Sequence, residues 1–200
     1  MSLLGSPFTQ PEIRQALTVE TDAVHTFFEN IDEDLFFVAP PDVWSPAENL
    51  VHLIQAVSPV VQALNLPKMA LKLRFGKAKH ESRTLAAVRH TYVNEALAGG
   101  GVAGGSFLPQ VKAETIEERA RMQVKWQEKG IALVEAVGKW DEKELDELVL
   151  PHPLLGDMTV REILFFTLYH NMHHVNDVQR LLNMTVVEWF EPVAEIGDLY

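Results

Sequence analysis

The stretch His152-Pro153-Leu154-Leu155-Gly156-Asp157-Met158-Thr159-Val160-Arg161-Glu162, followed by a periodic run that ends His170-Asn171-Met172-His173-His174, decides how this chain is read. Thr159 and Glu162 have the spacing of a capping box, in which the hydroxyl accepts from a first-turn amide and the carboxylate reaches back to the cap amide. Beyond them Ile163, Leu164, Leu168, Val175, Val178, Leu181 and Leu182 fall on one face of a helix predicted over residues 160–184. A helix advances about 100° per residue, so His174 stands roughly 40° from His170 while His173 is turned roughly 60° the other way. His170 and His174 therefore share the buried side of the helix, and His173 leans toward solvent.

The same cap spacing recurs upstream at Thr9 and Glu12, Ser45 and Glu48, and Thr115 and Glu118. Each pair opens an apolar-periodic segment, which predicts helices over residues 10–31, 46–64 and 112–139. Pro46 suits the first position of the second helix, where its missing amide proton costs nothing. Pro59 lies inside that helix and should kink or end it near Val57. Asp141 can cap a further short helix with Glu142 and Glu144 in its first turn. Residues 65–111, with helical character around 83–97, are too many for a tight hairpin and imply a long crossover between the second and third long helices. Gly99-Gly100-Gly101-Val102-Ala103-Gly104-Gly105 lacks the Lys-Ser/Thr ending of a phosphate loop and reads as a flexible linker. No convincing strand signal is present. The fold class is all-α, a four-helix bundle with a long crossover, in one domain spanning residues 1–200.

Composition narrows the function. The chain has 200 residues, 47% of them hydrophobic, and no apolar run approaches the roughly 18 needed to span a bilayer. No secretory signal opens it, so a cytoplasmic protein with no membrane partner is expected. Cysteine is absent, which removes disulfides, thiolate ligands and a cysteine nucleophile together. A formal charge of −11 repels phosphate backbones, and no nucleic-acid partner is expected. Lys68, Lys72, Arg74, Lys77, Lys79, Arg83 and Arg89 nevertheless crowd one segment with Glu81 as its only acid. That segment is either a solvated crossover or a local basic surface for an anionic substrate.

Two imidazoles four residues apart on one helical face can aim nitrogens at a single ion. The residue after His170 is Asn171, where a zinc peptidase would carry glutamate, so peptidase chemistry is disfavoured. A third ligand must come from another helix, and His52, at the edge of the apolar face of the second long helix, is the best candidate. His173 is its substitute. The plain alternative is that these histidines are hydrogen-bonded core residues. His25, His80, His90 and His152 read as surface, capping or packing residues, and Trp44, Trp126, Trp140 and Trp189 as core or rim aromatics. Asp177, one turn beyond His174, and Glu48, one turn before His52, could orient an imidazole proton, unless Glu48 is taken by its cap and Asp177 by solvent.

Trp44-Ser45-Pro46-Ala47-Glu48-Asn49-Leu50-Val51-His52-Leu53 and the stretch from His152 to His174 resemble the DinB-like family of metal-binding four-helix bundles, which also takes in YfiT-type hydrolases and thiol-dependent transferases. The resemblance implies a metal site formed by His52, His170 and His174, open to solvent at one position or more, and frequently a homodimer. One departure concerns the residues after the last histidine, where many relatives carry Arg-Gly-Gln and this chain has Val175-Asn176-Asp177. Three neutral imidazoles leave a dication its full charge and leave it room for water or substrate, an arrangement suited to catalysis. Zinc fits best, with nickel and iron compatible. The expected activity is a small-molecule transferase that draws on an exogenous low-molecular-weight thiol, or a hydrolase. The alternative is a non-catalytic bundle tied together by its ion.

Overall fold

The computed structural model describes residues 3–190. Four long helices form the body: α1 (Gln10–Glu29), α3 (Pro46–Leu64), α6 (Ile116–Val137) and α8 (Val160–Leu181). Between them lie the short helices α2 (Glu33–Phe36), α4 (Lys68–Phe75), α5 (Leu85–His90) and α7 (Glu142–Glu147). A π-helix, Thr91–Leu97, continues α5, and one 3-10 turn spans Gly105–Phe107. Both α1 and α3 pack against α6 and α8, so α1 and α3 take opposite corners of the bundle. Trp126, Phe28, Phe36, Leu50, Leu133 and Phe165 fill the centre and are fully buried. No single helix among the described residues is long and apolar enough to cross a membrane.

Side-chain caps set where the long helices start. Ser45 and Thr159 each accept from the amide three residues on, while Glu48 and Glu162 return to the cap amides at 2.7 and 3.1 Å. Glu12 does the same for Thr9 at 2.8 Å. Thr115 takes the amide of Glu118, but the Glu118 carboxylate turns to Arg121 at 2.8 Å, leaving that box half made. The extended backbone that a cap requires also explains why α6 begins at Ile116 rather than at Lys112. A fourth complete box, Asp141 with Glu144, opens α7.

Two expectations are corrected. First, α3 runs unbroken through Pro59 to Leu64. Its buried face of Val57, Val61 and Leu64 outweighs the roughly 3 kcal/mol that an internal proline costs. The chain turns instead at Asn65–Pro67, where α4 leaves at 106° to α3, because a residue that precedes proline is driven out of helical geometry. Second, a hairpin exists: β1 (Val149–His152) pairs antiparallel with β2 (Gly156–Thr159), turning at Gly156 with φ +72°. Four-residue strands, one of them containing Pro151, leave no alternation to read.

The crossover is tied down by ion pairs. The fully buried carboxylate of Glu162 receives the guanidinium of Arg83 at 2.9 Å as well as the Arg83 amide at 2.8 Å. Lys68 pairs with Glu144, and Lys77 with Glu147. Arg161, almost wholly buried, reaches Asp146 at 2.6 Å and Glu142 at 2.8 Å. Much of the basic segment is therefore neutralised within the fold.

One buried acid carries a measurable consequence. Glu20 on α1 is 1% exposed and accepts from the Asn171 amide on α8 at 2.9 Å, and burial raises its pKa well above 4.5, against the smaller opposing effect of that hydrogen bond. The folded protein holds the proton that the unfolded chain releases, so stability contributed by this site is complete below pH 4.5 and is lost as pH rises toward the folded pKa. The loss approaches about 1.4 kcal/mol per pH unit. Glu20→Gln keeps the contact without the proton. Denaturant titrations at a series of pH values above 4.5 should show wild-type stability falling relative to the variant, and parallel curves would contradict the assignment.

Candidate metal centre

Antiparallel packing of α3 on α8 sets His52 beside His170 and Asn49 beside His174. One nitrogen from each of His52, His170 and His174 lies within 4.8 Å of the other two. The ring centroids are 5.1 Å apart for His52 and His170, 4.5 Å for His52 and His174, and 4.6 Å for His170 and His174. His52 Nε2 and His170 Nε2 face each other at 3.2 Å. Ligand nitrogens held about 2.0–2.1 Å from a tetrahedral ion stand about 3.3 Å apart, so this pair already has chelating separation.

The far nitrogens are held by acceptors. His52 Nδ1 donates to the Phe107 carbonyl at 2.7 Å, and His174 Nδ1 donates to Asn49 Oδ1 at 2.8 Å. Asn49 is itself oriented, because its Nδ2 donates to the carbonyls of Trp44 and Ser45 at 3.1 and 3.0 Å. A carbonyl cannot donate, so the proton sits on Nδ1 in both rings and the Nε2 lone pairs are left for a ligand. Burial lowers the pKa of His52, and that of His170 and His174 well below 6.5, with the neighbouring imidazoles adding to the effect at the latter two. The rings are neutral at physiological pH, as metal ligation demands. This donor set fits a borderline divalent ion such as zinc.

Aromatic walls surround the three rings. Trp44, immediately before the Ser45 cap, stacks on His174 with ring planes 16° apart and centroids at 5.8 Å. Phe166 packs on His170 at 5.0 Å, and Tyr92 of the π-helix meets Phe166 edge-on at 5.0 Å. His152 caps the hairpin turn, its Nδ1 accepting from the amides of Leu154 and Leu155 at 3.2 and 3.1 Å. Its ring packs 4.2 Å from Phe166, and burial pushes its pKa down to about 4.

The remaining sequence candidates occupy other places. Glu48 is engaged with Ser45, and Asn49 supplies the acceptor behind the imidazole. Asp177 bonds Arg180 at 2.9 Å and lies 3.4 Å from His173 Nε2, and it is 4.0 Å from His174 Nδ1. His173 is not simply turned to solvent: its side chain is 24% exposed, set between Asp177 and Tyr92. The Phe107 carbonyl was beyond sequence reasoning because any residue offers a backbone oxygen. Asn49, inside the quoted α3 motif and three positions before His52, could have been found from helical spacing.

The chain belongs to the DinB superfamily, whose profile matches residues 16–178. Among solved structures it is similar to the colibactin self-resistance protein ClbS in complex with a dsDNA, at 14% identity and a TM-score of 0.50, over 90% of this chain and 98% of that one. At that identity the likeness establishes the fold. No curated protein sequence matches the chain. The ClbS complex corrects the expectation of no nucleic-acid partner, since a protein of this fold is seen on duplex DNA. The charge summed over the whole chain does not exclude such a partner, because phosphate contact depends on local clusters of Lys and Arg rather than on the total.

Loss of the acceptor behind a ligating histidine typically weakens metal affinity about 10- to 100-fold. Asn49→Ala should lower zinc affinity by that factor in a competitive chelator titration, and should also destabilise the metal-free protein by about 1–3 kcal/mol because the buried His174 Nδ1–H loses its acceptor. Unchanged affinity would remove Asn49 from the centre.

Proposed function

We propose that this chain is a metal-dependent enzyme acting on a small molecule, with His52, His170 and His174 as ligands of a divalent ion, zinc in first place and nickel or iron as compatible substitutes. The observation that carries the reading is the convergence of one nitrogen from each of three buried imidazoles within 4.8 Å, with the Nδ1–H groups of His52 and His174 held on the far side by the Phe107 carbonyl and Asn49. A dication bound there would act as a Lewis acid, making water or an incoming thiol more acidic. The chain supplies no cysteine, so a thiol nucleophile would come from an exogenous low-molecular-weight thiol.

The residues around the ligands account for the rest of the proposed chemistry. Asn49 and the Phe107 carbonyl keep two imidazoles in the ligating tautomer. Trp44, Phe166 and Tyr92 exclude bulk water, which strengthens every electrostatic interaction at the centre. Asp177 remains a candidate for accepting a proton at the lip, 3.4 Å from His173 Nε2. Attachment of a thiol to an electrophile is taken first, and hydrolysis, which the family resemblance covers equally, is the other outcome of the test. Zinc-loaded protein should consume a small thiol in the presence of an aryl halide electrophile, and His170→Ala should abolish this. Ester or amide cleavage without thiol loss would replace the transferase reading by the hydrolase one.

A second reading, contact with double-stranded DNA, is favoured by the exposed Lys72, Arg74 and Lys79 on and after α4 together with the ClbS complex. It predicts duplex binding that weakens between 50 and 200 mM salt, by about 40-fold if three phosphates are contacted. Absence of a gel shift at the lower salt would remove it.

A further inference from the structure

The three histidines are 4%, 6% and 7% exposed, so a small molecule does not reach the centre unless a wall moves. Three sides are α3, α8 and the π-helix, the last sealed at its end by the Gly101 amide on the Ala96 carbonyl at 2.8 Å, and Trp44, just before the Ser45 cap, stacks over His174. The fourth wall is the segment 102–114, between that seal and the Thr115 cap. Among the described residues two polar contacts join it to the bundle: Phe107 O with His52 Nδ1 at 2.7 Å, and Leu108 O with Gln55 Nε2 at 3.4 Å. Val111 adds apolar packing, whereas Val102 and Leu108 are 78% and 47% exposed. Gln55 Oε1, buried beside this contact, has no partner.

We propose that residues 102–114 form a lid over the three-histidine centre, latched by the Phe107 carbonyl on His52 and tightened when a metal ion is bound. The proposal rests on His52 being a metal ligand. The lid pivots at Gly104 and Gly105, the latter in the left-handed region at φ +58° with open space around it, and at Pro109. A cation on Nε2 draws electron density from the ring and makes Nδ1–H a stronger donor to the carbonyl. By linkage, whatever lifts Phe107 from His52 loosens the ion by the same factor, and an ion in place holds the lid down. Opening then serves substrate admission, and closing excludes water.

Hydrogen exchange on the intact protein, metal-free and zinc-loaded, reads the latch. Amides of Phe107 and Leu108, which bond locally to Gly104 O and Gly105 O, should exchange about tenfold more slowly with zinc, a coupling within the usual range. Buried α6 amides around Trp126 should be unchanged. In His174→Ala, which removes a ligand but leaves the Phe107 contact, added zinc should no longer protect the segment. Gly105→Ala, which places a Cβ on a left-handed residue, should release zinc to a chelator about fivefold faster than wild type. Stoichiometric zinc with unchanged exchange at 106–109 and an unchanged release rate would overturn the lid and leave the metal centre standing. Failure of wild-type protein to bind zinc, nickel or iron would overturn both.

Discussion

The structure turns on one constraint: α3 and α8 must pack antiparallel in a single register, because that register alone sets His52 against His170 and Asn49 against His174. Register is held at both helix starts. Ser45 with Glu48 fixes where α3 begins, and Thr159 with Glu162 fixes where α8 begins. Glu162 also anchors the crossover through Arg83, so the acid that starts the helix of His170 and His174 is the acid that pins the longest connection in the bundle. A slip of one residue in either helix would turn an imidazole about 100° away from the centre.

Burial of three imidazoles in one place is unfavourable by itself, since each loses hydration and none gains a charged partner. The fold offsets this by giving two of the Nδ1–H groups an acceptor and by keeping the rings neutral, with each pKa pressed down by the apolar surroundings. The outcome is three imidazole nitrogens gathered within 4.8 Å of one another, with the Nε2 lone pairs of His52 and His174 left for a cation. Trp44, Phe166 and Tyr92 complete the enclosure.

Features that follow a period or a local spacing were legible in the chain. Caps with a carboxylate three residues on marked the starts of α1, α3 and α8, and the 3.6-residue period put His170 and His174 on one face. Contacts that depend on tertiary placement were not. The Phe107 carbonyl carries no residue signature, and its glycine-rich approach read as a linker although its end lies on the centre. The hairpin before α8 escaped because four-residue strands are too short to alternate. The basic segment was legible but its pairing was not: Lys68, Lys77, Arg83 and Arg89 meet acids, while Lys72, Arg74 and Lys79 face outward.

The proposed chemistry requires three imidazole nitrogens on one ion. X-ray absorption at the metal edge of protein purified without an affinity tag addresses that directly. The account predicts one ion per chain with a first shell of nitrogen and oxygen only, about 2.0–2.1 Å for zinc, and outer-shell scattering from three imidazoles that falls to two in His52→Ala. A metal-free protein, or a bound ion whose imidazole count is the same in that variant, would contradict it.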